Sequence, residues 1–169
     1  KGVTPSTAGL TAAWYSSGRE TPYMGAGTGA PQMVMDALGL TNIFGDHAEA
    51  WLSVGWERVI EANPDVIVLV ESPGNTIAAK IELLKADPVL SKLKAVQNDS
   101  FLTIPFAAGE AGVRTVPAVL DLAAQLQLVL RLAFGERLEI GVAGDELDAA
   151  QVRGDHPVHG VAATATDAD

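Results

Sequence analysis

Residues 52–70 read LSVGWERVIEANPDVIVLV, and this stretch decides the fold class. Val54, Val59 and Ile60 recur at the spacing of one helical face, with Trp56 packing beside them. Asn63-Pro64 ends that helix, because proline disfavours helical backbone in the residue before it. Asp65-Val-Ile-Val-Leu-Val70 then carries five apolar residues in a row. A strand without a polar side is buried on both faces, as in a parallel sheet covered by helices.

The same reading extends outward. Leu10–Ser16 (LTAAWYS) is a short buried strand, and at least one of Trp14 and Tyr15 belongs to the core. Ala30–Leu38 is a helix with Met33, Val34, Ala37 and Leu38 on one side, stopped by Gly39. Thr76–Lys85 is a helix with Ile77, Ile81 and Leu84 as its stripe. Pro88–Leu93 is a helical turn and Ser100–Pro105 a third strand. Thr115–Leu132 is a long helix that tolerates Pro117 in its opening turn. The order β-α-α-β-α-β-α predicts a three-layer α/β/α sandwich with a mainly parallel sheet. In such a sheet the ligand site lies at the carboxyl ends of the strands.

Composition narrows the function. The chain has 169 residues and a formal charge of −10, which argues against a nucleic-acid partner, since that binding rests on Lys and Arg. Zero cysteines excludes disulfides, thiolate metal sites and cysteine nucleophiles. Uninterrupted apolar runs are too short to cross a bilayer. Residues 1–134 hold 13 acids and 9 bases, whereas residues 135–169 hold 8 acids and 2 bases and no aromatic residue. The expected organisation is one domain over 1–134 and an acidic, partly flexible Gly/Ala/Asp-rich tail over 135–169, with a short strand at 138–142.

Gly25-Ala-Gly27-Thr-Gly29-Ala30 fits the G-x-G-x-x-G/A spacing of a pyrophosphate loop. Its context does not fit: nine residues, Ser16 to Met24, separate it from the first strand. The acid at ribose distance, Asp46, falls in a loop. Two readings stand beside a dinucleotide domain. The glycines let a loop turn before a helix, or they form a ligand-facing loop whose N–H groups favour an anionic or carbonyl-bearing molecule. Trp51 is placed in a loop, where core anchoring and ligand stacking both account for it. Glu57 opens its helix, where the helix dipole favours a carboxylate. Glu110 and Arg114 follow the third strand, and an arginine before a helix opposes the dipole, which favours a ligand or carboxylate contact. Asp155, His156 and His159 have the residue types of a metal site, but Pro157 and the tail composition weigh against one. No Ser-His-Asp set is evident and His47 is unpaired by spacing, so no enzyme is expected.

The run from Trp51 through Trp56-Glu57 to Asn63-Pro64-Asp65-Val66-Ile-Val-Leu69 resembles the helix–strand signature of class III periplasmic binding proteins. Leu38-Gly-Leu-Thr-Asn42-Ile-Phe-Gly-Asp46, Leu84-Lys-Ala-Asp-Pro-Val-Leu90 with Leu93–Asn98, and Gly112-Val-Arg114-Thr-Val resemble further segments in the same order. The resemblance runs from about Ala12 to Leu132 and covers the carboxyl-terminal lobe of a two-lobed fold. It implies a substrate-binding component of an ABC importer for a metal chelate such as ferric siderophore, haem or cobalamin. The partners would be a permease, its ATPase and an amino-terminal lobe. The location would be extracytoplasmic, with membrane contact only through the permease or a lipid anchor. No resident cofactor is implied. By the resemblance Trp51 and Arg114 meet the ligand, Glu57 docks on the permease, and Tyr23, Gly25 and Gly27 belong to the cleft loop. The Pro22-Tyr23-x-Gly25-x-Gly27 wording is similar to a subgroup proposed to carry a coenzyme F420 precursor.

Overall fold

In a computed structural model of the chain, residues 9–109 and 115–134 are described. Glu110, Arg114, the metal-type group Asp155, His156 and His159, and the tail over 135–169 with its expected strand lie outside the described residues.

Six strands form one sheet: β1 (Thr11–Ser17), β2 (Tyr23–Gly25), β3 (Thr41–Asn42), β4 (Trp51–Ser53), β5 (Val66–Glu71) and β6 (Phe101–Pro105). The order is β4-β2-β1-β5-β6, with β3 pairing beside β1. β1, β5, β6 and β3 run parallel, whereas β2 is antiparallel to both β1 and β4. The helices are α1 (Gly29–Leu38), α2 (Trp56–Ala62), α3 (Ile77–Ala86), α4 (Lys94–Gln97) and α5 (Thr115–Phe134).

The alternation of side chains along a strand divides the core in two. Ala12, Trp14, Val66, Val68, Val70, Leu102 and Ile104 face α1 and α5, where Val34, Met35, Leu38, Leu122 and Leu126 meet them. Ala13, Tyr15, Ile67 and Leu69 face the other layer, built from Val59 of α2, Leu84 of α3, and Leu90, Leu93 and Val96. This is the three-layer sandwich expected from the sequence, and Trp14 and Tyr15 are both core.

Several local expectations change. Trp51 lies in β4 rather than a loop, and α2 begins only at Trp56. Three-residue strands have too little length to show a period, and β2 and β4 are both that short. On α1 the buried face is Ala30, Pro31, Val34, Met35 and Leu38, while Met33 is exposed. Pro31 and Met35 turn inward because the helix packs against Trp14 and Gly25 at its start. By length and composition α5 would reach across a bilayer, since only scattered polar residues break its apolar sequence. Here one side of it, Leu122, Ala123, Leu126 and Leu130, is core.

The Asn63-Pro64-Asp65 turn works as a joint. Asn63 adopts the left-handed conformation (φ 44°) that ends α2, and its N–H donates to the Val59 carbonyl. The Asp65 carboxylate accepts from the Thr11 N–H at 3.0 Å and the Thr11 hydroxyl at 2.9 Å. Lys94 Nζ lies 3.5 Å from the same carboxylate. One acid therefore fixes the start of β1 against the start of β5. Replacing Asp65→Ala leaves the Thr11 donors unpaired, and urea denaturation is expected to show a loss of about 1–3 kcal/mol. Asp65→Asn, which keeps an acceptor, should lose less.

Candidate functional site

β2 runs back along β1, and β4 runs back along β2, so Tyr23 pairs with Ser53 and Gly25 with Trp51. Tyr23 and Trp51 stand diagonally across that pair on one face. Their rings stack at 5.4 Å between centroids with planes 12° apart. Tyr23 is 39 % exposed, and Trp51 is half-buried against the core layer of α1 and α5. The pair forms a flat aromatic platform near the carboxyl edge of the sheet, part anchored and part open.

Behind the platform the glycine loop is closed by its own protein. A β-carbon at Gly27 would run into the backbone carbonyl oxygens of Gly45 and His47. One at Gly25 would meet the Pro31 and Trp14 side chains. The loop is pegged by the buried Asn42 amide, which donates to the Ala26 carbonyl at 3.1 Å and to Gln32 Oε1 at 3.1 Å. Asn42 Oδ1 in turn accepts from the Phe44 N–H. These glycines permit close chain packing on the side where a β-carbon would stand. The start of α1 remains open chemically: Thr28 gives it no side-chain cap, its hydroxyl donating instead to the Ala48 carbonyl.

Trp14 forms the floor. Its indole is fully buried, its N–H has no hydrogen-bond acceptor among the described residues, and a β-carbon at Gly109 would sit 3.3 Å from it. The chain after β6 therefore reaches the same place as the glycine loop, and Glu110 follows directly in sequence. Glu57 lies elsewhere, exposed at the first turn of α2, with its carboxylate folded over Gly55 at the helix start. The structure thus gathers Tyr23, Gly25, Gly27 and Trp51 in one region and sets Glu57 on a separate surface. His47, expected to be alone, has Asp46 at 3.8 Å and Glu49 at 4.0 Å, and meets the Phe44 ring edge-on. Among the described residues no group of three potential metal ligands forms.

One residue was missed. Lys80 is 1 % exposed inside the layer of α3. Its ammonium donates to the Val70 carbonyl and lies 5.5 Å from the centre of the Tyr15 ring. Burial lowers its pKa to about 8, partly offset by the Glu71 carboxylate. The spacing Ile77, Lys80, Ile81, Leu84 is that of one helical face, so its inward position was legible. Tyr15 beneath it is also perturbed: burial pushes the phenol up to about 12, against the pull of Arg19. Its hydroxyl donates to the Gly18 carbonyl at 2.6 Å. Tyr15 also receives the Trp56 ring edge-on at 5.1 Å, and the Trp56 indole N–H donates to the Arg19 carbonyl.

The periplasmic binding protein family model matches residues 3–108. The chain belongs to the periplasmic binding protein family. Its fold is similar to that of a periplasmic binding protein from Veillonella parvula, at 27% identity and a TM-score of 0.64, over 73% of this chain and 44% of that one. It is also similar to an ABC-type Fe3+-hydroxamate transport system from Saccharomonospora viridis (25%, TM-score 0.62, 69% of this chain and 41% of that one). A periplasmic vitamin B12-binding protein of Vibrio cholerae shares the fold at 23% identity and a TM-score of 0.54, over 75% of this chain and 47% of that one. The chain spans less than half the length of each of these structures. No curated protein matches it.

Asn42→Ala should free the glycine loop and cost about 1–3 kcal/mol in denaturant unfolding, as buried carbonyls lose their donor. Lys80 sets a pH signature. Its folded pKa lies below its ordinary 10.5, so the unfolded chain binds the extra proton between about pH 8 and 10.5 and stability rises through that window. Tyr15 reverses the trend above its ordinary 10.0, because the unfolded phenol ionises first. Urea midpoints measured from neutral pH upward should climb and then fall for the wild type. For Lys80→Met the climb should be absent.

Proposed function

We infer that the chain is the carboxyl-terminal lobe of a substrate-binding protein, without enzymatic activity, that carries a bulky metal chelate to an ABC permease and its ATPase. The observation that carries this reading is the half-open Tyr23–Trp51 platform at the carboxyl edge of a periplasmic binding protein lobe. Stacked aromatic rings give a wide apolar contact with little rotamer freedom to lose, which suits a large, rigid ligand. Similarity to an Fe3+-hydroxamate transport system and a vitamin B12-binding protein favours a metal chelate such as ferric siderophore, haem or cobalamin. Arg114 and Glu110 would supply charge to the chelate's polar rim, and Glu57 would offer its carboxylate to a cation on the permease. An amino-terminal lobe would form the other wall, and the assembly would work outside the cytoplasm, held at the membrane by the permease or a lipid anchor. The Pro22-Tyr23-x-Gly25-x-Gly27 wording keeps a deazaflavin precursor of coenzyme F420 as the second ligand class.

The test is tryptophan fluorescence of the two-lobed protein titrated with a ferric hydroxamate, haem, cobalamin and a deazaflavin. One of them should quench the emission and saturate. Trp51→Ala should weaken that binding about tenfold or more. Glu57→Ala should leave binding intact while lowering uptake in cells. Unchanged affinity in Trp51→Ala, or binding of none of the four, would overturn the assignment.

A further inference from the structure

On the α2–α3 side of the sheet, away from the aromatic platform, the carboxyl ends of β1 and β5 enclose a small cavity of about 160 Å³. Its polar lining is Tyr15, Arg19, Asn75 and Lys80, with Gly18 and Gly74 in the two turns. Both glycines have positive φ (83° and 74°), which folds the turns tightly around the opening.

Most polar groups of this lining are already engaged. The Tyr15 hydroxyl donates to the Gly18 carbonyl, and the Asn75 amide donates to the Ser16 carbonyl at 3.3 Å. The two cations are engaged less fully. Lys80 has three N–H donors, and one protein oxygen, the Val70 carbonyl, receives them among the described residues. Arg19 is exposed and has no carboxylate partner among the described residues. No described acid lines the cavity. Glu71 stands behind Lys80, with an oxygen committed to the Ile77 N–H at 2.9 Å. Glu82 and Asp87 line the neighbouring hollow on the other side of Arg19. Two of Asp87's bonds go to the Val89 and Leu90 N–H groups.

A buried ammonium short of acceptors is costly unless an anion completes it. We propose that the cavity between the β1 and β5 turns binds a small oxyanion, a carboxylate or a tetrahedral inorganic anion, held between Lys80 and Arg19. The ligand would accept charge-assisted hydrogen bonds from the free Lys80 N–H groups and from the Arg19 fork. The site is distinct from the aromatic platform, because Tyr15 and Trp14 point to opposite faces of the same strand. Burial lowers the Lys80 pKa more than the Glu71 carboxylate restores it, so anion binding should draw a proton onto the ammonium in mildly alkaline solution.

Sulfate and acetate are suitable probes, since neither changes charge near or above neutral pH. Titration of the protein with each, followed by amide NMR, should shift Gly18, Arg19, Gly74 and Asn75 and leave Tyr23 and Trp51 in place. Affinity should fall about tenfold or more from roughly pH 7 to pH 9.5 as Lys80 loses its proton. Calorimetry in buffers of different ionisation heat, near the Lys80 pKa, should show proton uptake. Arg19→Gln, at an exposed position, should weaken binding about tenfold without unfolding the chain, and Lys80→Met should abolish it. Three results would overturn the proposal: no saturable shift with either anion, shifts centred on the aromatic platform, or equal affinity in Arg19→Gln. Binding to the platform alone would leave the chelate reading standing while removing this one.

Discussion

The structure depends on keeping β1 and β5 dry on both faces. Val66 to Val70 and Ala12 to Tyr15 offer no polar side to water, so the sheet cannot stand with one surface exposed. Each large apolar side chain buried there is worth roughly 1.5–3 kcal/mol relative to exposure, and every one requires a helix above it. This forces α1 and α5 onto one face and α2, α3 and α4 onto the other. Ala12 and Ala13, at the start of β1, leave room for the approach. With both faces covered, the strand ends are what remains for chemistry, and the parallel direction of β1, β5 and β6 gathers their carboxyl ends at one edge.

Short antiparallel strands complete that edge. β2 and β4 are only three residues each, too small to extend the core far, yet their reversed direction sets Tyr23 diagonally opposite Trp51. The glycines at the end of β2 and just after it serve the same end. Gly25 and Gly27 let the loop lie against Trp14 and against the Gly45 and His47 carbonyls, and Asn42 ties the loop down. Close packing of this loop against its own protein accounts for the glycines without calling on a pyrophosphate.

The long elements were legible because each carried a sustained period or a clear stop. Val66–Val70, the Ile77–Leu84 face and the Asn63-Pro64 break all appear in the sequence at their structural positions. What was hidden depended on contacts far apart in the chain. β2 and β4 exist only through pairing with each other and β1, so Trp51 read as a loop residue. Met33 and Met35 are two apolar residues on one short helix, and packing against the sheet and α5 decides which turns inward. Of the candidate site, Tyr23, Gly25, Gly27 and Trp51 are brought into one region, but the ring stacking and the closure of the loop could not be read from spacing. Lys80 was overlooked because a lysine on a helix is ordinarily solvated, although its spacing placed it among Ile77, Ile81 and Leu84.

Trp14 and Tyr15 show how one local rule creates two different environments. Successive side chains on a strand point to opposite faces, so these neighbours become the floors of two unlike regions. Under Trp14's face lie the glycine loop, Gly109 and the Tyr23–Trp51 platform. Tyr15's face carries Trp56, the Arg19 turn and the Lys80 ammonium, with the Glu71 carboxylate acting on that ammonium. Exchanging the two residues would not exchange the regions. Trp14 fits between Gly25 and Gly109, where the chain comes within contact of its ring. Tyr15 instead needs a phenol at the strand end, because its hydroxyl closes the Gly18 turn while its ring supports Lys80. The order Trp-Tyr within β1 therefore turns one ring toward the aromatic platform and the other toward the Lys80 layer.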